Sequence, residues 1–188
     1  MNLENAYLTR FGSFVGVQSL GWGSYESQQI RFRVLLEING YANGDSVLDV
    51  GCGFGDMSRL VANYTGIDLR QSVVDQGKVK YPNARLICCG IRAVHGSFDW
   101  VFASGIFCFC KGWEKDVRSK IREMLRISIK GVAFNLLSQR SRGFKKPGIK
   151  YANVCELISV LGGDIQCFVI RHDYLDNDFT VYIYKRLH

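Results

Sequence analysis

Residues 46–57 read Ser-Val-Leu-Asp-Val-Gly-Cys-Gly-Phe-Gly-Asp-Met. An apolar run enters three alternate glycines, Gly51, Gly53 and Gly55, with a carboxylate on either side at Asp49 and Asp56. Glycines in this pattern let a backbone turn sharply and approach a ligand closely. A strand that passes through such a turn into a helix start is the usual nucleotide site of doubly wound folds. Seventeen residues beyond Gly51, a second apolar run ends in Gly66-Ile67-Asp68. An acid at roughly that distance can accept hydrogen bonds from both hydroxyls of a ribose. The dinucleotide fingerprint G-x-G-x-x-G needs its third glycine where Asp56 stands. Asp49 and Asp56 would repel a pyrophosphate and attract a cation.

S-adenosylmethionine carries a sulfonium and an ammonium and has no phosphate, so these electrostatics favour it over NAD. The stretch Val47-Leu-Asp-Val-Gly-Cys-Gly-Phe-Gly55 resembles the first motif of the class I S-adenosylmethionine-dependent methyltransferases. The resemblance continues through Gly66-Ile-Asp68, through Phe98-Asp-Trp-Val-Phe-Ala-Ser104 and to the terminal strand pair, covering most of the chain. It implies a Rossmann-like three-layer α/β sandwich. The seven-stranded, mostly parallel sheet would run 3-2-1-4-5-7-6, with an antiparallel last strand. It also implies S-adenosylmethionine as cofactor and S-adenosylhomocysteine as product. By the same resemblance Gly51, Cys52 and Gly53 pass under the methionine part, with Asp49 ending the strand before them. Asp68 holds the ribose, Leu69 packs beside the adenine and Ser104 lies near the methionine amine. Similar enzymes often place an acid after the third strand to contact the adenine amine. Here Cys89-Gly90-Ile91 stands there, so backbone groups at Gly90 and Ile91 take that role.

Upstream, Gly21-Trp-Gly-Ser-Tyr-Glu-Ser-Gln-Gln-Ile-Arg-Phe32 is unusual for a plain helix. Its glycines and aromatics suit a flap over the cofactor that includes Trp22. Arg31 suits bidentate pairing with the cofactor's carboxylate. A solvated helix whose aromatics pack on the sheet explains the same residues.

The acceptor side is less defined. Amino-methylating DNA enzymes carry an Asn/Asp-Pro-Pro-aromatic motif after the fourth strand, where this chain has Ala103-Ser-Gly-Ile-Phe107. Cytosine C5 enzymes use a Pro-Cys nucleophile, and neither Pro82 nor Pro147 precedes a cysteine. Both DNA chemistries are unlike this chain. The candidate general base is His172, opening His172-Asp173-Tyr174 at the expected end of the sixth strand, with Tyr174 beside it. A turn histidine held by hydrogen bonds is the plainer reading. The formal charge is +7, and it is uneven: residues 111–150 hold 12 Lys+Arg and three acids, and the rest of the chain is slightly acidic. Part of this excess is the wet face of a helix, the ordinary origin of charge runs. The remainder lies in the loop after the fifth strand, where Arg140, Arg142 and Lys145 are candidate contacts for a small, anionic acceptor. Two alternatives stay open: an RNA or nucleic-acid methyltransferase gripping phosphates with residues 111–150, and a non-catalytic S-adenosylmethionine-binding scaffold.

The elements that must position these residues follow from hydrophobic periodicity. Strands are expected at 46–50, 65–69, 84–89, 98–103, 131–137, 164–171 and 179–185, and helices at 27–38, 56–63, 71–80, 114–127 and 153–161. Strand and helix alternate, which means a parallel sheet covered on both faces. The connection 171–178 is too short for a helical crossover, so the last two strands pair antiparallel. With 188 residues and 47% hydrophobic content, one methyltransferase domain over 1–188 is expected, with 1–40 as an N-terminal helical or flap extension. No apolar run has membrane-spanning length, and the first ten residues do not read as a secretory signal. Seven cysteines in no metal-ligand spacing predict no metal, no disulfide framework and a reducing cytoplasm.

Overall fold

The structure, a computed structural model, describes residues 16–109, 112–143, 145–163 and 165–185. In chain order the elements are α1 (Tyr25–Leu36), β1 (Ser46–Val50), β2 (Asn63–Asp68), α2 (Gln71–Lys80), β3 (Arg85–Cys88), β4 (Phe98–Ala103), α3 (Trp113–Ile127), β5 (Ser128–Leu137), α4 (Val154–Leu161), β6 (Phe168–Leu175) and β7 (Asp178–Tyr184). The sheet order is β3-β2-β1-β4-β5-β7-β6. Only β7 is reversed: it runs antiparallel to both β5 and β6. This is the Rossmann-like α/β arrangement expected from the sequence.

Alternation along the central strands feeds two cores. Val101 and Ala103 of β4, Val132, Phe134 and Leu136 of β5, and Phe179, Val181 and Ile183 of β7 face α3 and α4. Trp100 and Phe102, Ala133 and Tyr182 face the other way, against Phe32, Val34 and Leu35 of α1 and Val74 of α2. In α3, Val117, Ile121, Met124 and Ile127 recur at helical spacing and are buried, which binds that helix to the sheet. Ser24 caps α1 by accepting from the Ser27 N–H, and Asn153 caps α4 by accepting from the Cys155 N–H.

Two expectations are corrected. The helix expected at 56–63 is a single 3₁₀ turn, Asp56–Arg59. Gly55 enters it in the left-handed conformation and β2 already begins at Asn63, which leaves room for one turn only. The sixth strand lies later than expected, at Phe168–Leu175, and its polar residues are strand rather than connection. Asp176-Asn177 makes a two-residue hairpin turn, with Leu175 opposite Asp178, and a register shift between Arg171 and Leu175 absorbs the offset. As an edge strand, β6 tolerates charge: Arg171 pairs with Glu37 and Asp173. The first 15 residues of the expected N-terminal extension lie outside the described residues.

Candidate active site

The site is built at the C-terminal ends of β1, β2, β4 and β5. Leaving β1, the backbone takes positive φ at Gly51 (75°) and Gly53 (57°), and the N–H groups of Gly51 and Cys52 both donate to the Ile67 carbonyl of β2. A methyl group on Gly51 would stand 2.3 Å from Ile106 Cγ2, and one on Gly53 would stand 2.6 Å from Leu20 Cδ1. The left-handed conformation demands glycine at both positions, and a larger residue would also have to displace the Ile106 or Leu20 side chain. Ile106, just after β4, and Leu20, in the 3₁₀ turn Gly16–Leu20, close over the turn from two sides.

Three carboxylates underlie this cradle. Asp49 is buried and accepts a 2.8 Å hydrogen bond from the Tyr64 hydroxyl. Burial pushes its pKa up to about 7 against the pull of that hydrogen bond, with the charges of Asp68 and Asp56 adding to the rise. Asp68 is buried too: Oδ2 accepts from the Gly53 N–H (3.1 Å), and Oδ1 accepts from the Arg70 N–H (3.0 Å) and Nε (3.3 Å). A carboxylate has about four acceptor directions, so a ribose at Asp68 shares this carboxylate with Arg70. Asp56 faces elsewhere. It accepts from Lys80 Nζ (2.6 Å), Tyr81 Oη (2.6 Å) and Gln28 Nε2 (3.3 Å), so its charge is compensated within the fold. Asp68 is likewise paired with Arg70, so of the three carboxylates Asp49 is the one with no basic partner among the described residues. Cys52 is buried, and desolvation with the Asp49 and Asp68 charges holds its thiol protonated; it lines the turn and is no nucleophile.

Beyond β2, Leu69 is 61% exposed, and its Cδ2 would lie 3.4 Å from a methyl group on Gly90. Leu69, Gly90 and Ile91 thus form an apolar shelf at the ends of β2 and β3. After β4, Ser104 is buried and its Oγ accepts from Asn135 Nδ2 (2.8 Å), while Asn135 Oδ1 accepts from the Gly105 N–H (3.0 Å). Asn135 is a site residue that sequence reasoning missed. A lone amide inside the apolar run Gly-Val-Ala-Phe-Asn-Leu-Leu was the available signal.

Arg31 is buried, with Nε 2.8 Å from Asp178 Oδ2. Its terminal nitrogens donate to the Ser27 carbonyl and to Asn177 Oδ1. The guanidinium stacks over Trp22, 5.6 Å from the ring centroid, and that indole would lie 3.3 Å from a methyl group on Gly105. Tyr174 does not stand open to an acceptor: its hydroxyl donates to Asp178 Oδ1 (2.5 Å) and contacts Thr180 Oγ1 (2.7 Å). Asp178, buried at the hairpin tip, is the second residue the sequence did not single out. Burial pushes its pKa up to about 6, against the opposing effects of Arg31 and Tyr174.

His172 lies within β6, with β5 and β7 between it and β4. Its ring meets Phe179 edge-on at 5.9 Å, and its buried Nε2 has no hydrogen-bond partner among the described residues. The loop after β5 is closed at its base by the bridge Ser138–Ala152, and the Lys150 N–H donates to the Cys108 carbonyl, which ties it to the turn after β4. On this loop Arg140 and Arg142 are exposed and have no side-chain partner among the described residues. Lys145 instead donates to the Gln139 carbonyl, and Lys150 pairs with Glu156. A separate surface hollow of about 390 Å³, lined by Arg59, Lys80, Tyr81 and Asn83, lies at the other end of the strands, beside the starts of β2 and β3. No group of three or more potential metal ligands occurs among the described residues.

Residues 48–135 match the family described as a methyltransferase domain. The chain superposes on magnesium protoporphyrin IX methyltransferase from Synechocystis PCC 6803 with bound S-adenosylhomocysteine. The TM-score is 0.68 at 11% identity, covering 97% of this chain and 94% of that one. A SAM dependent methyltransferase from Aquifex aeolicus gives a TM-score of 0.69 at 17% identity, covering 92% and 99%. A possible histamine N-methyltransferase from Thermotoga maritima gives 0.67 at 11%, covering 96% and 99%. No curated protein matches the chain by sequence. Residues 48–135 thus form a methyltransferase domain, and the whole chain has the fold of methyltransferases solved with S-adenosylmethionine or S-adenosylhomocysteine bound. The residues present fit that cofactor: a left-handed glycine turn close to Ile106 and Leu20, buried carboxylates for a cation, and an apolar shelf for a base. S-adenosylmethionine and S-adenosylhomocysteine are the ligands bound in those neighbours.

Proposed function

We propose that this enzyme methylates a small anionic acceptor bound beneath the loop 138–150, with the cofactor held between the glycine turn and residues 20–22. The observation that carries this reading is the pair Arg140 and Arg142: exposed, unpartnered among the described residues, and anchored through Ser138–Ala152 beside the C-terminal ends of β4 and β5. The cofactor supplies an electrophilic methyl on a sulfonium, and transfer is in-line displacement, so alignment does much of the catalytic work.

In this reading Asp49 and Asp68 hold the cofactor's charged end and ribose. Leu69, Gly90 and Ile91 receive its adenine, Ser104 sits by its amine, and Arg31 meets its carboxylate. His172 stands at the sheet edge, so we assign it no proton transfer. An acceptor that arrives with a ready lone pair, such as a carboxylate oxygen, needs no base. Two neighbours in fold are named as magnesium protoporphyrin IX and plantazolicin methyltransferases, so the architecture serves acceptors other than nucleic acid elsewhere. The nucleic-acid reading is weaker, because Arg118 and Arg126 of α3 are engaged by the Ser159 carbonyl and Glu123. Among the described residues no helix is long and apolar enough to cross a membrane.

The test is methyl transfer from labelled cofactor to a panel of carboxylates, phosphates and neutral analogues. For the accepted substrate, replacing Arg140 and Arg142 together with alanine should raise KM about tenfold, as expected for loss of charged hydrogen bonds. Cofactor affinity should stay unchanged. Equal turnover of neutral analogues, or an unaffected KM, overturns the anionic assignment.

A further inference from the structure

Arg31 of α1 meets three residues of the β6–β7 hairpin, Tyr174, Asn177 and Asp178, at its tip. Asp178 faces Arg31 Nε at 2.8 Å with one oxygen and takes the Tyr174 hydroxyl at 2.5 Å with the other. The neighbouring Asn177 accepts from Arg31 Nη2 through its side chain (3.3 Å) and from the Ser138 N–H through its carbonyl (2.9 Å). Arg31 in turn lies over Trp22, and Trp22 packs against Gly105 beside Ser104. Ser104 is held by Asn135 of β5, and the paired residues Leu137 and Asp178 bring β5 back to the hairpin tip. The contacts form a closed ring around the ends of β4 and β5.

We infer that Asp178 is a positioning residue for cofactor binding: it fixes the Arg31 guanidinium, and through it Trp22, over the loop that follows β4. The role rests on the methyltransferase reading above. A guanidinium has five N–H groups. Among the described residues Arg31 spends three of them, one each on Asp178, Ser27 and Asn177. One N–H remains on each terminal nitrogen, the fork that suits a carboxylate. A buried arginine without a carboxylate partner is unfavourable and would leave this position, and a lysine could not keep all three anchors while offering the fork. Asp178 therefore keeps Arg31 in place whether or not a ligand is present. Tyr174 holds Asp178 in turn, and Thr180 contacts the Tyr174 hydroxyl, which is why that hydroxyl faces inward.

The experiment is a double-mutant cycle read by calorimetric titration of S-adenosylhomocysteine into wild type, Asp178→Asn, Arg31→Gln and the double variant, each checked for folding by circular dichroism. Asp178→Asn should weaken cofactor binding at least tenfold in the wild-type background and less than twofold once Arg31 is Gln. With S-adenosylmethionine, its KM should rise while kcat at saturation stays within twofold. Unchanged affinity, or losses that multiply independently, overturns the positioning role and leaves Asp178 a structural residue. If Asp178→Asn does not fold, Asn177→Ala removes one Arg31 anchor and spares the ion pair. It should weaken binding about threefold, and no change there overturns the role equally. Absence of binding by the folded wild type would overturn the methyltransferase reading itself, and this role with it.

Discussion

The pKa of about 7 at Asp49 predicts that cofactor affinity depends on pH in the physiological range. Desolvation raises it, and the neighbouring Asp68 and Asp56 charges contribute because an ionised Asp49 adds a like charge to the cluster. A cationic cofactor reverses that balance and binds the ionised form more tightly. With a midpoint near 7, the ionised fraction rises from roughly a tenth at pH 6 to roughly nine tenths at pH 8, so affinity should strengthen about tenfold across that interval. Linkage adds a second readout. At pH 7, binding should release about half a proton, visible as a difference in calorimetric enthalpy between buffers of unlike ionisation heat. Asp49→Asn should flatten the pH dependence and abolish the proton release. The folded protein without cofactor should show the opposite trend in stability. Asp49 binds its proton more tightly folded than unfolded, so stability is lost as pH rises from the ordinary carboxylate range to about 7. The loss is roughly 4 kcal/mol, and Asp49→Asn should remove it. An affinity that stays flat from pH 6 to pH 8 in the wild type would refute this reasoning.

Two further outcomes follow from the hydrogen-bond geometry. Asn135→Ala leaves the Gly105 N–H and Ser104 hydroxyl without their partner, a cost of about 2 kcal/mol. Thermal unfolding should show a Tm lower by about 5 °C, together with weaker cofactor binding; an unchanged Tm would mean these groups find other partners. Arg70→Ala removes the side-chain competitor for Asp68 Oδ1 and keeps the backbone N–H, so titration should show S-adenosylhomocysteine binding about threefold tighter, the worth of a modest net hydrogen bond. Weaker binding would mean that Arg70 itself contacts the ligand.

The parts of this architecture readable from sequence are those encoded locally. Gly51, Gly53 and Asp68 lie within one strand-turn-strand unit, where residue type and spacing carry the geometry. Alternation in Phe98–Ala103 and the helical spacing of Val117, Ile121 and Met124 likewise fix element and face together. What escaped was non-local or terminal. The Asp56–Arg59 turn looked like the start of a longer helix until β2 began earlier than its apolar residues suggested. His172 looked like the end of a strand because the Asp176-Asn177 hairpin turn was hidden in a polar run. Arg31 was singled out, but its partners Asn177 and Asp178 are nearly the whole chain away. Only the sheet order, which sets β7 beside β5, brings them to it. Asp56 likewise looked like part of the ligand field, because Lys80 and Tyr81 reach it only through the packing of α2.

The most direct test of the central claim, that S-adenosylmethionine occupies the glycine cradle with its ribose on Asp68, is calorimetric titration of S-adenosylhomocysteine into wild type and Asp68→Ala. Saturable one-to-one binding by the wild type, weakened at least tenfold in a folded Asp68→Ala, is the predicted result. The loss corresponds to about 1.4 kcal/mol or more. Equal affinity of the two proteins, or no binding by the folded wild type, would contradict it.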